Sequence, residues 1–357
     1  MRILVLGATG YVGSRVVPAL IEAGHDVVAA SSSLPAPERF AWGEQVDWAR
    51  CDVTDPEQVA AALSDMEGVC YLVHSLNSRT FVERDRLGAE IVRDAISSPG
   101  AGSGVRRLVY LSGLVPDKPV EELSKHISSR LEVEEVLAQA ETSVVALRAG
   151  VVIGAGSTSF EVIRQLATLL LVQPVPNWLE HKVQPIAVSD VNRAMIEAFD
   201  DPGPDQWGLT GSVDIGGPNV IAYSKLLAEC SRAAGLLRLR IPTMSVPGPL
   251  VGLGAAALVA APFWTVTALI ESLRDDMVCR PSQTWVPRDA KPLMGVREAM
   301  SLSFEPEGSV TEAPAASDAD WTRMRAPLLD ELHAPATVRA GASLALRRLK
   351  SLLDLIG

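Results

Sequence analysis

The stretch Met1–Gly13, MRILVLGATGYVG, decides the fold of this 357-residue chain. An apolar run from Ile3 to Leu6 leads into three glycines at Gly-x-x-Gly-x-x-Gly spacing, and apolar residues at helical spacing follow at once. A buried strand, a tight glycine turn and a helix N-terminus suit a dinucleotide pyrophosphate, because glycines let phosphates approach the backbone and helix N–H groups attract their charge. The alternative interpretation is a turn whose glycines serve packing only.

The rest of the chain alternates between strand-like and helix-like patterns. This alternation predicts an α/β fold with a doubly wound parallel sheet, an NAD(P)-binding Rossmann core, over residues 1–150. We expect a smaller, substrate-facing lobe that adds elements to the core over 151–305, then a linker and a C-terminal helix over 306–357. The predicted strands are 2–6, 26–30, 46–51, 69–73, 107–111, 143–147, 183–188 and 213–218. The predicted helices are 12–23, 56–65, 81–97, 124–139, 157–172, 189–199, 223–235 and 336–355. Ser189 and Asp190 are expected to cap the helix over 189–199.

The charge and the cysteine content of the sequence limit the kinds of ligand that the protein is expected to bind. The net charge of −11 argues against direct binding of nucleic acid, which needs a basic face. The four cysteines lie far apart and form no metal or redox motif, so buried thiols in a cytoplasmic protein are expected. A first strand that begins at Arg2 leaves no place for a signal peptide.

The segment Ile241–Ile270 contains no charged residue, although prolines and glycines interrupt it. We expect a packed lobe there. Membrane contact through 241–270, as a span or an interfacial helix, is the alternative, and it would make the protein membrane-associated. The oligomeric state stays open.

The glycine spacing in GATGYVG resembles the atypical and extended short-chain dehydrogenase/reductase superfamily, in its NmrA-like NAD(P)-binding branch. Later stretches extend the resemblance over roughly Met1–Ala299: CDVTDPEQVAAAL, RRLVYLSGL, VVALRAGVVIGAGSTSFEVIRQL, QPIAVSDVNRA and VDIGGPNVIAYSKLL. The resemblance implies three groups of cofactor-binding residues. They are the glycine turn (Gly7, Thr9, Gly10, Tyr11, Val12, Gly13), the adenine side (Asp52, Val53) and the nicotinamide edge (Val73, His74, Ser75).

The second strand ends in serines rather than in an acid. An acid there would bind a ribose hydroxyl and favour NAD(H), whereas an arginine would favour NADP(H). Hydroxyls of Ser31 and Ser32 hydrogen-bond a phosphate without repelling it. The sequence therefore favours NADP(H) slightly, with Arg39 as a further partner; ordinary loop serines are the alternative.

The resemblance also raises the question of catalysis. Enzymes of the superfamily use a serine and a Tyr-x-x-x-Lys pair; here Ser112 fits the serine, while His126 and Arg130 stand at the positions of the pair. One hypothesis is an NAD(P)H-dependent reductase or isomerase of a small carbonyl compound, with His126, whose ordinary pKa is near neutrality, as acid or base. The other is a non-catalytic dinucleotide-binding scaffold, assembly factor or redox-sensing regulator.

The stretch 154–166, GAGSTSFEVIRQL, is expected on the substrate side. Ser157 is a candidate helix cap, Phe160 a candidate pocket wall, and Arg164 a candidate ligand contact that alternatively pairs with Glu161. In the following loop, Trp178, Leu179 and His181 are expected to cover the pocket.

Overall fold

A seven-stranded parallel sheet lies at the centre of this computed structural model, which describes residues 1–75, 80–100, 102–200, 209–243, 259, 261 and 263–323. Its strands are β1 (Arg2–Leu6), β2 (Asp26–Ser31), β3 (Asp47–Arg50), β4 (Gly68–Tyr71), β5 (Arg107–Gly113), β6 (Ser143–Ala149) and β11 (Gly211–Ile215). The spatial order is β11-β6-β5-β4-β1-β2-β3, so the sheet runs outward in both directions from β1. This is the doubly wound Rossmann topology that the sequence predicts.

Helices cover both faces of this sheet, because successive side chains of β1 point to opposite sides. Ile3 and Val5 pack under α1 (Gly13–Glu22) and α6 (Val188–Phe199). Leu4 and Leu6 pack on the other face. The helices there are α2 (Pro56–Ala62), α3 (Phe81–Ser97) and α4 (Lys125–Leu137). Burial on both faces explains why the strands read as continuous apolar runs.

The smaller lobe consists of short strand pairs and helices beyond β6. β7 (Val152–Ile153) pairs with β10 (Ile186–Ala187), β9 (Lys182–Val183) with β12 (Ile221–Ala222), and β8 (Val172–Pro176) with β13 (Leu239–Thr243). The helices are α5 (Thr158–Leu169), α7 (Tyr223–Ala233), α8 (Phe263–Ser272) and α9 (Val296–Leu302), and α10 (Asp320–Arg323) follows. Short 3-10 turns span Pro37–Arg39, Val120–Glu122 and Asn177–Glu180.

Three local predictions are wrong. The single strand expected at 183–188 is two short strands, β9 and β10, that belong to different pairs. The helix expected at 157–172 ends at Leu169, since the chain turns into β8. Ser189 and Asp190 do not cap α6, because both lie inside it. Asp190 instead accepts hydrogen bonds from Met294 N and from Arg193 Nη1, each at 2.7 Å.

The segment 307–320, expected as a linker, is packed against the body. Its anchor is a buried ion pair in which Arg15 Nη1 lies 2.7 Å from Asp318 Oδ1 and Nη2 lies 3.0 Å from Oδ2. The carbonyl of Glu312 accepts from Ala155 N, and its carboxylate accepts from Ser189 N. The predicted helix at 336–355 and, within the predicted lobe, residues 244–258, 260 and 262 lie outside the described residues.

Among the described residues, no helix combines the length and the apolar character that crossing a bilayer requires.

All four cysteines are free and buried, and burial raises their thiol pKa values. Buried, protonated thiols are poor nucleophiles, so these cysteines serve packing.

Candidate functional site

The glycine turn between β1 and α1 has a backbone path that side chains would block. Gly7 has a φ of +86°, and a Cβ on Gly13 would lie 2.3 Å from Gly7 O. The N–H groups of Gly7 and Ala8 both donate to Ala30 O at 3.2 Å, which ties the turn to the end of β2. Glycine is therefore required at positions 7 and 13 for the turn itself.

The same turn leaves room for a dinucleotide. Gly10 is exposed, and a Cβ there would meet only Gly7 O, at 3.2 Å. The space beyond Gly10 lies at the N-terminus of α1, the positive end of the helix dipole. An open approach to a helix N-terminus fits a pyrophosphate.

The neighbours of the glycines hold different places around this turn. Thr9 Oγ1 lies 3.2 Å from Ser31 Oγ, which puts Thr9 at the end of β2, and Val12 occupies the N-cap position of α1. The Tyr11 ring lies 4.0 Å beneath the Arg15 guanidinium, and its hydroxyl is buried against Gly154. Tyr11 therefore packs toward the small lobe.

The adenine side is built from the ends of β2 and β3. Ser31 ends β2, and Ser32 follows it with an exposed side chain. The Asp52 carboxylate accepts from Thr54, and this backbone hydrogen bond, with Arg84 nearby, lowers the pKa of Asp52. Val53 is buried against α3. Arg39, proposed above as a further phosphate partner, donates to Ser317 O at 3.1 Å.

At the opposite side of β1, residues after β4 form a buried carboxylate–histidine pair. Val73, His74 and Ser75 follow β4, and His74 Nδ1 lies 2.7 Å from Asp85 Oδ2. The second carboxylate oxygen of Asp85 accepts from Ser75 N at 2.9 Å. Because a carboxylate only accepts, Nδ1 of His74 carries the hydrogen and Nε2 keeps a lone pair.

Sequence reasoning missed Asp85. The buried residues of α3 run Asp85, Gly88, Ala89, Val92 and Ile96, so Asp85 lies on the helix face that enters the core. An acid at an inward position of an amphipathic helix is a signal for a buried partner, because an unpaired charge is costly there.

His126 lies next to this pair. Ser124 caps α4 by accepting from Ile127 N, and the first turn of the helix then carries His126 to within 5.2 Å of the His74 ring, centroid to centroid. Nδ1 of His126, Nε2 of His74 and Oγ of Ser112 are buried without a hydrogen-bond partner in the part of the chain described. Unsatisfied buried polar atoms are rare in native proteins and are typical of functional sites.

Electrostatics keep both rings neutral near pH 7. Burial, followed by repulsion from Arg130 and from His74 when that ring is protonated, holds the pKa of His126 well below its usual range. Burial and Arg130 lower the pKa of His74 to about 4, although Asp85 opposes this shift. The expectation of a near-neutral pKa for His126 is therefore wrong, because desolvation disfavours the charged ring.

Arg130 lies one helical turn beyond His126, as the four-residue spacing predicts. Its Nη1 donates to Leu111 O at 2.8 Å, which fixes α4 to the end of β5 beside Ser112. The structure thus brings Ser112, His126 and Arg130 together at the carboxyl edge of the sheet, and adds His74 and Asp85. Their catalytic roles stay predictions.

The three residues predicted on the substrate side do not line the cavity that lies beside His126. Ser157 holds the N-cap position of α5, but its hydroxyl donates to Val152 O instead of capping. Phe160 is fully buried against Phe304, and Arg164 pairs with Glu161. Contact of these three residues with a substrate stays a prediction.

Other residues of α5 and the following loop do line a cavity of about 400 Å³ beside His126. They include Ser159, Val162, Ile163, Leu166, Trp178 and Leu179. Trp178 and Leu179 thus cover the pocket as expected, whereas His181 lies with its Nδ1 3.1 Å from Asp276 Oδ1.

Comparison with known families decides the classification. The NAD dependent epimerase/dehydratase family matches residues 3–208, more than half of the chain. The chain belongs to the NAD dependent epimerase/dehydratase family. This places it in the extended short-chain dehydrogenase/reductase superfamily, as its motifs indicate, and gives it the family's nicotinamide-dinucleotide-binding fold.

Solved structures share the fold of this family member. A nucleoside-diphosphate-sugar epimerase from Staphylococcus aureus is 14% identical with a TM-score of 0.63, covering 84% of this chain and all of its own. Citrobacter triphenylmethane reductase, solved with NADP(H), is 17% identical with a TM-score of 0.62, covering 85% and 100%. Thermus thermophilus UDP-glucose 4-epimerase, solved with NAD, is 21% identical with a TM-score of 0.53, covering 77% and 99%.

Curated relatives match a smaller part of their own length. Uncharacterized proteins of Mycobacterium tuberculosis and Mycobacterium bovis are 25% identical to this family member over 234 residues, which is 65% of this chain. The chain spans only 23% of those relatives.

Proposed function

We propose that this protein is an NAD(P)H-dependent oxidoreductase that interconverts a small carbonyl compound and its alcohol, with His126 in the place of the usual tyrosine. One observation carries the proposal: in the buried cluster of Ser112, His74 and His126, one polar atom of each residue (Oγ, Nε2 and Nδ1, respectively) has no hydrogen-bond partner among the described residues. These atoms lie at the carboxyl edge of the sheet, where open α/β sheets bind their ligands.

The proton step uses His126. In oxidation, the neutral imidazole takes the proton of the substrate hydroxyl and becomes an imidazolium. In reduction, that imidazolium returns the proton to the carbonyl oxygen and is neutral again. A bound nicotinamide supplies or accepts the hydride. Because the pKa of His126 is low, its imidazolium is a minority form at neutral pH, so reduction should accelerate as pH falls.

His74 and Asp85 position this proton. Asp85 holds the hydrogen on Nδ1 of His74, so that Nε2 offers a lone pair beside the His126 ring. An acceptor at that place stabilises the imidazolium of His126 and orients its ring. His74 and Asp85 thus act on the substrate through His126.

Ser112 and Arg130 complete the arrangement. The Ser112 hydroxyl, which has no partner in the described part of the chain, can donate to the substrate oxygen and orient it. Arg130 is held by Leu111 O at the place where the family's lysine stands, and its charge suits the nicotinamide ribose or a phosphate.

The cofactor we propose is NADP(H) in preference to NAD(H). Ser31 and Ser32 stand where an acid would repel the extra phosphate, and Thr9 Oγ1 adds a third hydroxyl near Ser31. Structural neighbours have been solved with either nucleotide, so the hydroxyl cluster carries this choice.

The test combines nucleotide titration with turnover. We expect NADPH to bind at least as tightly as NADH, and reduction of a carbonyl compound to fall by about a hundredfold in His126→Ala, since general acid catalysis commonly contributes that much. Lys125→Ala, at the exposed neighbouring position of α4, is the matched control and should turn over normally. Binding of nucleotide without turnover on any carbonyl compound would favour the non-catalytic alternative.

A further inference from the structure

The cavity beside His126 has a volume of about 400 Å³, which lies within the range of sites that enclose a small organic ligand. Side chains from α4, α5, β8, α7 and α8 form its wall, for example His126, Leu166, Pro174, Leu226 and Leu269. A ligand in the cavity would therefore contact the proposed proton donor and be surrounded by the small lobe.

The wall excludes charged ligands. Among the described residues that line the cavity, none is Asp, Glu, Lys or Arg. Transfer of an ionised group into an apolar environment is costly unless a partner neutralises it, and diphosphates are normally held by Arg or Lys. A sugar nucleotide would find no such partner on this wall.

Three polar atoms on the lining residues are available to a neutral ligand. Gln173 Oε1 accepts, Trp178 Nε1 donates and Thr243 Oγ1 does either, and all three are buried without a partner within the described parts of the chain. A few polar groups in an otherwise apolar wall typically fix the orientation of a small ligand.

We infer that this cavity binds a neutral, largely hydrocarbon substrate, a ketone or the corresponding alcohol, in preference to a nucleotide sugar. The assignment of the reacting group rests on the proposed function. The preference for hydrocarbon rests on the cavity wall alone, so binding and turnover test the two statements separately.

The experiment is a calorimetric titration of the full chain with methyl ketones of increasing chain length, with and without oxidised NADP, and with UDP-glucose for comparison. The oxidised cofactor prevents reduction, so the readout is binding. Each added methylene should raise affinity about fourfold until the cavity is filled. Binding should also show a negative heat capacity change, the marker of apolar burial.

A matched pair of variants locates the binding. Ser159 lines the cavity and is only partly buried, so Ser159→Trp should fill space and weaken ketone binding about tenfold or more. Thr158→Trp, at the preceding position of α5 and outside the wall, should bind like the native chain. Unchanged thermal unfolding of both variants shows that the fold is intact.

Two results would overturn the inference: an affinity that does not depend on chain length, or UDP-glucose binding more tightly than the longest ketone. Ketones that bind as expected but are never reduced would support the assignment of the cavity and refute the proposed reaction.

Discussion

Replacement of Asp85 by asparagine tests the buried pair behind His126. The carboxylate accepts from His74 Nδ1 at 2.7 Å and from Ser75 N at 2.9 Å. Asparagine keeps the acceptor for Ser75 N, but its amide N–H faces the Nδ1–H of His74. His74 should therefore move its hydrogen to Nε2, and His126 loses the acceptor beside it.

The cost to turnover should far exceed the cost to stability. The hydrogen bonds from His74 and Ser75 both lose their charge assistance, which lowers the free energy of unfolding by about 2 kcal/mol. The loss of the correct tautomer should lower kcat by about a hundredfold to ten-thousandfold, the range for general acid–base catalysis and for tautomer loss in catalytic triads. Nucleotide affinity should change little.

The assay is the decrease in absorbance of reduced nicotinamide across a range of pH. Removal of the negative charge disfavours the imidazolium, so the decline of the reduction rate with rising pH should move to lower pH. Asp94→Asn, at an exposed position of α3, is the matched control. An Asp85→Asn variant with native kcat and a native pH profile would refute the positioning role.

Three further predictions concern binding and stability. Gly10→Glu should abolish dinucleotide binding in titration while circular dichroism stays native, because its carboxylate would occupy and repel the pyrophosphate site. Asp318→Ala should lower the free energy of unfolding in denaturant titration by about 3–5 kcal/mol, because Arg15 is left buried without its ion-pair partner, and Asp320→Ala should change it little. Stability should fall as pH drops from about 6.5 toward 4, because unfolded His74 binds a proton that folded His74, with a pKa of about 4, does not; the loss is on the order of 3 kcal/mol, and a pH-independent unfolding midpoint would contradict it.

The sheet and its helices were predictable because their signals are local. β1, the glycine turn and α1 fall within one continuous stretch, and later strands such as β4 and β5 show their own apolar runs. The candidates Ser112, His126 and Arg130 came from the resemblance to the superfamily's serine and its pair at four-residue spacing, and their catalytic roles stay predictions.

Contacts between distant segments were not predictable in this way. The ion pair of Arg15 and Asp318 joins residues 303 positions apart, and the segment around Asp318 has the composition of a linker. Asp85 reads as an ordinary helix residue until β4 brings His74 beside it. β11 joins the main sheet only through its pairing with β6, far back in the chain. Such pairings depend on tertiary packing, which a local sequence pattern does not predict.

Transfer of a labelled hydride tests the central claim most directly. The full chain is loaded with NADPH that carries deuterium at the transferable position and mixed with a long-chain methyl ketone. The alcohol is then analysed by mass spectrometry. We predict that the native chain incorporates one deuterium at the former carbonyl carbon, and that His126→Ala does so about a hundredfold more slowly. If the native chain binds both compounds and yields no deuterated alcohol, the proposed reaction is wrong.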